Sequence, residues 1–315
     1  MIVPYTKCMK TEELDFTASD GKKIHVYHWA PDGAAKSVLM IAHGMAEHAS
    51  RYARLAELLT ANGIDVWAED HRGHGKTAQE GELGWLAPKN GFRRVIDDLH
   101  ELAGFIKQKQ PGKPFFLLGH SWGSFLSQGY IALYGNELTG CILSGTAGNG
   151  GPIVAVGRIL ANLGCLFAGQ KKKTPLMDSM SFGAFNKEFE PVRTKFDWLS
   201  RDPIEVDKYI NDPFCGFVCT FGFFRDLLGG LMWIHNAKTM QAIPVDLPIY
   251  MFAGSKDPVG GATGSFDNLF NQYQKLGIKD LTKKLYPDAR HETLNETNRE
   301  EVMQDLLRWL QAHGA

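Results

Sequence analysis

What the chain lacks narrows its class first. No apolar run reaches the roughly 18 to 20 residues of a membrane-spanning helix, which excludes an integral helical membrane protein. Cysteine is scarce. Cys8, Cys141, Cys165, Cys215 and Cys219 are odd in number and mostly far apart, which is no disulfide framework. Cys215 and Cys219 stand at one-turn helical spacing, but no histidine or third cysteine nearby in the sequence completes a zinc set. The five read as buried or half-buried thiols that pack as small hydrophobes. An excess of one charge is also missing: 34 Lys and Arg face 35 Asp and Glu, for a formal net charge of −1. No global field therefore draws nucleic acid or an acidic membrane surface. The opening MIVPYTKCMKTEELDF has neither the basic start nor the apolar stretch of a signal peptide, so the expectation is a soluble, cytoplasmic protein.

What is present is enough apolar material, 44 % of 315 residues, for a large core carrying an insertion. Residues 1–145 alternate short β-like runs with helical patterns. The runs 13–18 and 23–29 flank the turn signal Ser19-Asp20-Gly21 and read as a hairpin. SVLMIAH (37–43), IDVWAED (64–70), PFFLLG (ending at Gly119) and GCILSG (140–145) are near-continuous apolar runs, as strands covered on both faces should be. Between them, 48–62, 91–109 and 123–135 carry helical spacing; Phe92, Val95, Ile96, Leu99, Leu102, Phe105 and Ile106 share one face. The pattern breaks at residue 146. Residues 146–240 hold helical pieces and no strong strand, and the alternation resumes over 241–315 with strands at 247–254 and 281–287 and helices at about 265–277 and 295–312. The organisation expected is α/β: a mostly parallel central sheet with helices on both faces, interrupted by a helical cap or lid.

The stretch FFLLGHSWGSF runs a buried-type strand into Gly119-His120-Ser121-Trp122-Gly123 and then a helix. A Gly-x-Ser-x-Gly alone is a weak signal, since these residues also build ordinary turns. Between a strand and a helix it is what a nucleophile elbow requires: the glycines let backbone approach where a Cβ would clash, and Ser121 is held at a helix N-terminus that favours developing negative charge. A serine hydroxyl needs a base held by an acid. Asp257 in FAGSKDPVG and His291 in YPDARHETLNE both fall just past late strands, at the edge where open α/β sheets place their sites. Singly, Asp257 could cap the turn before Pro258 and His291 could sit on a surface loop; together with Ser121, and in that order, they read as a catalytic triad. The oxyanion hole is expected from the backbone N–H groups of Trp122 and Met45, with Gly44 letting the loop turn inward.

At these residues the chain resembles the α/β-hydrolase superfamily, in particular its monoacylglycerol lipase and lysophospholipase-like group, which is also grouped with serine aminopeptidase-like hydrolases. The blocks that carry the likeness are HGMAEHASRY, DHRGHGKT, GHSWGS, GSKDPV and ARHETLNE, spread over residues 40 to 300, with YINDPFCGF in the insertion. The resemblance implies a carboxylic ester hydrolase acting on a monoacylglycerol or lysophospholipid, with no metal or organic cofactor. Trp122 and Ser124 stand where relatives often carry methionine and glycine, and the indole is expected to narrow the acyl pocket.

Other readings compete. His43, His48, His71 and His74 resemble metal ligands, but the last two belong to a loop block of the family. Glu47 and Asp70 lie near strand ends and could pass for the triad acid. Arg290 either orients a headgroup or faces solvent. The apolar run PIVAVGRILANLGCLF followed by Lys171-Lys172-Lys173 serves either as a lid packed on the core or as a transient contact with a membrane or micelle. Asn295-Glu296-Thr297 fits a glycosylation sequon but reads better as a helix start. An aminopeptidase would need carboxylates for a substrate amine, with Glu188, Glu190, Asp197, Glu205 and Asp207 as candidates. A non-catalytic binder could keep the fold as a ligand pocket. Oligomeric state is left open.

Overall fold

The computed structural model describes residues 9–261 and 264–315; Cys8 lies outside them. Eight strands form one sheet in the order β1-β2-β4-β3-β5-β6-β7-β8. The expected hairpin is β1 (Lys10–Thr17) and β2 (Lys23–Ala30), paired antiparallel. β2 pairs antiparallel with β4 (Ile64–Glu69). From β4 the sheet continues through β3 (Ser37–Ala42), β5 (Phe115–His120), β6 (Gly140–Ser144), β7 (Ile249–Gly254) and β8 (Leu281–Tyr286), every pairing parallel.

The apolar runs of the sequence exist because both sheet faces are covered. Val38, Met40, Leu117, Leu143 and Met251 point to one face, under α2 (Gly91–Lys109), α3 (Trp122–Tyr134) and α9 (Gly264–Leu276). Leu39, Ile41, Phe116, Leu118, Ile142 and Phe252 point to the other, under α1 (Ala53–Ala61) and α10 (Arg299–Ala312). The expected stripe of α2 is buried at Phe92, Val95, Ile96, Leu99, Leu102 and Ile106, while Phe105 is only half-buried at its edge. At about 1.5–3 kcal/mol per large side chain, the six buried residues supply on the order of 10 kcal/mol of burial before conformational entropy is counted.

Between β6 and β7 run α4 (Pro152–Phe167), α5 (Pro175–Phe182), α6 (Pro203–Asn211), α7 (Phe221–Ile234) and α8 (Ala237–Gln241). α7 packs on α2 and α3, and its Phe223 and Phe224 join the core cluster. α4 packs on α7 from outside. The last helix starts at Arg299, later than the periodicity suggested, because residues 293–297 wrap around a buried carboxylate. Glu296 accepts hydrogen bonds from the backbone N–H groups of Arg201 (3.0 Å), Arg290 (2.8 Å) and Thr297 (2.9 Å) and from Arg201 Nε (2.9 Å). A helix beginning at Asn295 would break that arrangement. Among the described residues no helix is long and apolar enough to cross a membrane.

Candidate active site

The site collects at the carboxyl ends of β3, β5, β7 and β8. At the end of β5, Ser121 adopts φ 53° and ψ −121°, a conformation that costs a residue with a Cβ about 1–3 kcal/mol. The neighbourhood enforces it: Ser121 N–H donates to Ser144 O (2.9 Å), and Ser121 O accepts from the N–H of Ser124 (2.9 Å). Both flanking glycines are sterically required. A Cβ on Gly119 would overlap Gly123 O and Ser127 Oγ, and one on Gly123 would overlap Ala42 O and His43 O, because α3 starts against the end of β3.

Asp257 follows β7 and His291 follows β8, both nearly fully buried. His291 Nδ1 donates to Asp257 Oδ1 and Oδ2 at 2.9 and 3.0 Å. An ionised carboxylate only accepts, so the proton sits on Nδ1 and Nε2 is left as the acceptor. Burial pulls the imidazole toward neutrality, but the Asp257 carboxylate outweighs it and the pKa is raised above 6.5. His120, its ring 4.8 Å from that of His291, hydrogen-bonds to no carboxylate among the described residues, and burial together with His291 pushes it down to about 4.

Ser121, His291, Gly44 and Met45 line one cavity of about 270 Å³. Its walls are apolar at Phe182, Phe196, Trp198, Leu199 and Phe217 and polar at Glu47, His120 and Glu292. Ser121 Oγ has no hydrogen-bond partner among the described residues; in ligand-free sites the nucleophile–base bond commonly tightens only on substrate binding. The backbone N–H groups of Met45 and Trp122 are likewise uncommitted among the described residues. Gly44 permits the loop after β3 to reach the serine, since a Cβ there would lie 3.3 Å from Ser121 Cβ and 2.7 Å from Glu47 Oε1. The same Glu47 oxygen fixes the loop by accepting from Gly44 N–H (2.5 Å) and Tyr52 Oη (2.9 Å).

A buried network not visible in the sequence backs the polar wall. Arg51 forks onto Glu292 through Nη1 and Nη2 (2.8 and 2.7 Å) and also pairs with Glu47. Burial opposes the Glu292 charge, but Arg51 overrides it and holds the carboxyl at about 2.

Several expectations change. The Trp122 indole does not narrow the pocket: it is 2 % exposed, stacks on His74 at 5.0 Å and packs on Phe223 at 5.1 Å, away from the cavity. Arg290 is half-buried and does not line the cavity; Nη1 donates to Asp197 O and Ser200 O, and the guanidinium lies over Phe189. Asp70 accepts from Ala49 and Lys76 N–H (both 2.8 Å) and so ties two loops together. His43 and His71 spend ring nitrogens on Gly44 O, His71 N–H and Glu69. None of Glu188, Glu190, Asp197, Glu205 and Asp207 lines the cavity; the carboxylate that α5 brings there is Asp178. Cys141, Cys215 and Cys219 are buried, Cys165 is half-buried, and all four are free thiols.

Comparison with known proteins places this geometry in context. The chain is 30 % identical over 310 residues to a monoacylglycerol lipase of Mycolicibacterium smegmatis, covering 96 % of this chain and 97 % of that one. It is 28 % identical over 274 residues to a human monoglyceride lipase, covering 87 % and 81 %. The fold matches that of a thermostable carboxyl esterase from Bacillus coagulans solved with glycerol, with a TM-score of 0.89 at 29 % identity over 98 % of this chain and 100 % of that one. With residues 33–298 matching the family described as serine aminopeptidase, S33, the chain belongs to that family and has the α/β-hydrolase fold.

Proposed function

We propose that the protein hydrolyses carboxylic esters through an acyl-enzyme, that monoacylglycerols are its substrates, and that Ser121, His291 and Asp257 are the catalytic groups. The observation that carries this reading is the His291–Asp257 hydrogen-bond pair beside a cavity that Ser121 also lines. Ser121 Oγ attacks the ester carbonyl carbon while His291 Nε2 takes its proton, and Asp257 stabilises the resulting imidazolium. The carbonyl oxygen becomes an oxyanion that accepts from the N–H groups of Met45 and Trp122. The C–O bond to the alcohol then breaks, with the proton passing from His291 to the departing oxygen. Water, deprotonated by His291, releases the acid by the reverse sequence. No step needs a metal or cofactor.

The substrate assignment follows the cavity and the relatives. Aromatic and aliphatic walls suit one acyl chain, while Glu47, His120 and Glu292 suit a hydroxylated alcohol. Residues 146–240 serve as a cap over a core of 1–145 and 241–315. α5 supports this role: it presents Phe182 to the cavity and leaves Leu176 and Met180 exposed. α4, its neighbour in the chain, turns Ile153, Val156, Ile159, Leu163, Leu166 and Phe167 to solvent, Phe167 at 82 %. An apolar helix face of that breadth fits shallow contact with a lipid surface, so a cytoplasmic enzyme that meets membranes peripherally is the arrangement proposed. Activity across monoacylglycerols, lysophospholipids, short esters and aminoacyl amides tests the reading; preference for the amides would overturn it.

A further inference from the structure

We propose that His48, Asp212 and Cys215 form a binding site for a thiophilic divalent cation such as Zn²⁺. The three are remote in sequence, yet one ligand atom from each lies within 4.8 Å of the others. They combine imidazole, carboxylate and thiolate, the donor types zinc takes in proteins.

Neighbouring groups orient two of the donors. The other nitrogen of His48, Nδ1, meets Ser50 Oγ at 3.0 Å, and Asp212 Oδ1 accepts from Phe214 N–H at 2.8 Å. These outer contacts leave His48 Nε2 and Asp212 Oδ2 facing each other at 2.8 Å. Such outer contacts hold metal ligands in place and set the histidine tautomer. Cys215 is brought in by the turn in which its N–H donates to Asp212 O (3.0 Å). Ligands on one tetrahedral zinc stand roughly 3.3 to 3.8 Å apart, so His48 and Asp212 need separate by less than about 1 Å.

His48 and Asp212, though not Cys215, line a surface depression of about 810 Å³ through which an ion reaches them. Arg51 adds a nearby positive charge, but it is already paired with Glu292 and Glu47. On binding, Cys215 loses its thiol proton to solvent. The imidazole proton moves from Nε2 to Nδ1, which then donates to Ser50 Oγ.

The location gives the site a consequence. His48 follows the loop that carries Met45, and Asp212 and Cys215 belong to the segment after α6. The two already touch where Tyr209 Oη (2.8 Å) and Gly216 N–H (2.9 Å) donate to Ala46 O. A bound cation replaces the direct His48–Asp212 hydrogen bond between the loop after β3 and the segment between β6 and β7 with a metal-centred tie that also holds Cys215.

Titration of the full chain with Cd²⁺, followed by the thiolate-to-metal charge-transfer band in the ultraviolet, tests the site without reference to activity. The wild type should develop the band, and Zn²⁺ should abolish it by competition. Cys165→Ser, which removes the partly exposed thiol, should keep it, and Cys215→Ser should lose it. His48→Gln and Asp212→Asn should each weaken binding by about tenfold or more. Mass-spectrometric mapping of iodoacetamide alkylation on the wild type adds a measurement free of folding artefacts: Zn²⁺ should protect Cys215. Absence of the band, its survival in Cys215→Ser, unchanged affinity in both His48→Gln and Asp212→Asn, or alkylation of Cys215 that Zn²⁺ does not slow would overturn the proposal.

Discussion

Replacing Asp257 by asparagine separates two consequences of one hydrogen-bond pair. In the wild type His291 must be neutral to act as base, so kcat/KM should fall as pH drops through its pKa. That pKa is raised because, although burial favours the neutral ring, the Asp257 carboxylate at 2.9 Å favours the charged one more strongly. The acid limb should therefore have its midpoint above 6.5. Two unit charges at that separation attract by roughly 6 kcal/mol at an effective dielectric near 20, and asparagine removes all of it while the ring stays buried. His120, buried nearby with no hydrogen-bonded carboxylate, shows the direction: burial and the neighbouring His291 push it down to about 4. In Asp257→Asn the acid limb should thus move below 6.5, extending the active range downward. The rate at neutral pH should nevertheless fall, by about 10⁴-fold, because the amide no longer fixes the proton on Nδ1 or stabilises the imidazolium. The assay is kcat/KM against pH on a soluble short-chain ester. A limb that stays in place, or a rate within tenfold of wild type, would refute the reasoning.

Three further outcomes follow from the same structure. Arg51→Met strands Glu47 and Glu292 without their shared cation, so urea unfolding at pH 7 should show a loss of about 3–5 kcal/mol. Because Glu292 is held at about 2, its contribution is present above about pH 4.5 and fades as pH falls toward 2, so the variant's deficit should shrink in acid. Trp122→Phe should leave the ester chain-length profile unchanged, since the indole faces His74 and Phe223; a shifted profile would restore the narrowing role. Ile159→Glu with Leu163→Glu on α4 should depress hydrolysis of micellar long-chain monoacylglycerol at least tenfold while sparing a soluble ester, and equal loss on both would point to misfolding instead of lost lipid contact.

Much of this was legible in residues because local signals and tertiary demands coincide. The helical spacing over 91–109 and the run from Pro152 to Phe167 match α2 and α4, and the strands announce themselves because neither sheet face sees water. The elbow was readable because its glycines and serine are adjacent in sequence, and steric conflict there is local. Arrangements that depend on long closures were not. Arg51 and Glu292, or His48 and Asp212, meet only after the chain has wound across the sheet, and a charged residue on a helix reads as solvent-facing until its partner is known. Side-chain direction was equally hidden. Trp122 turns from the cavity because α7 supplies Phe223 to receive it, and Glu296 delays α10 because three donors from Arg201 and Arg290 converge on it.

The central claim is that Ser121 is the nucleophile, and covalent labelling tests it most directly. Intact-mass and peptide analysis after a fluorophosphonate probe should show one adduct, on Ser121, in the wild type. Ser121→Ala should take up no probe and lose at least about 10³-fold of its ester hydrolysis. An adduct on another residue, or a Ser121→Ala variant that still reacts with the probe, would contradict the account.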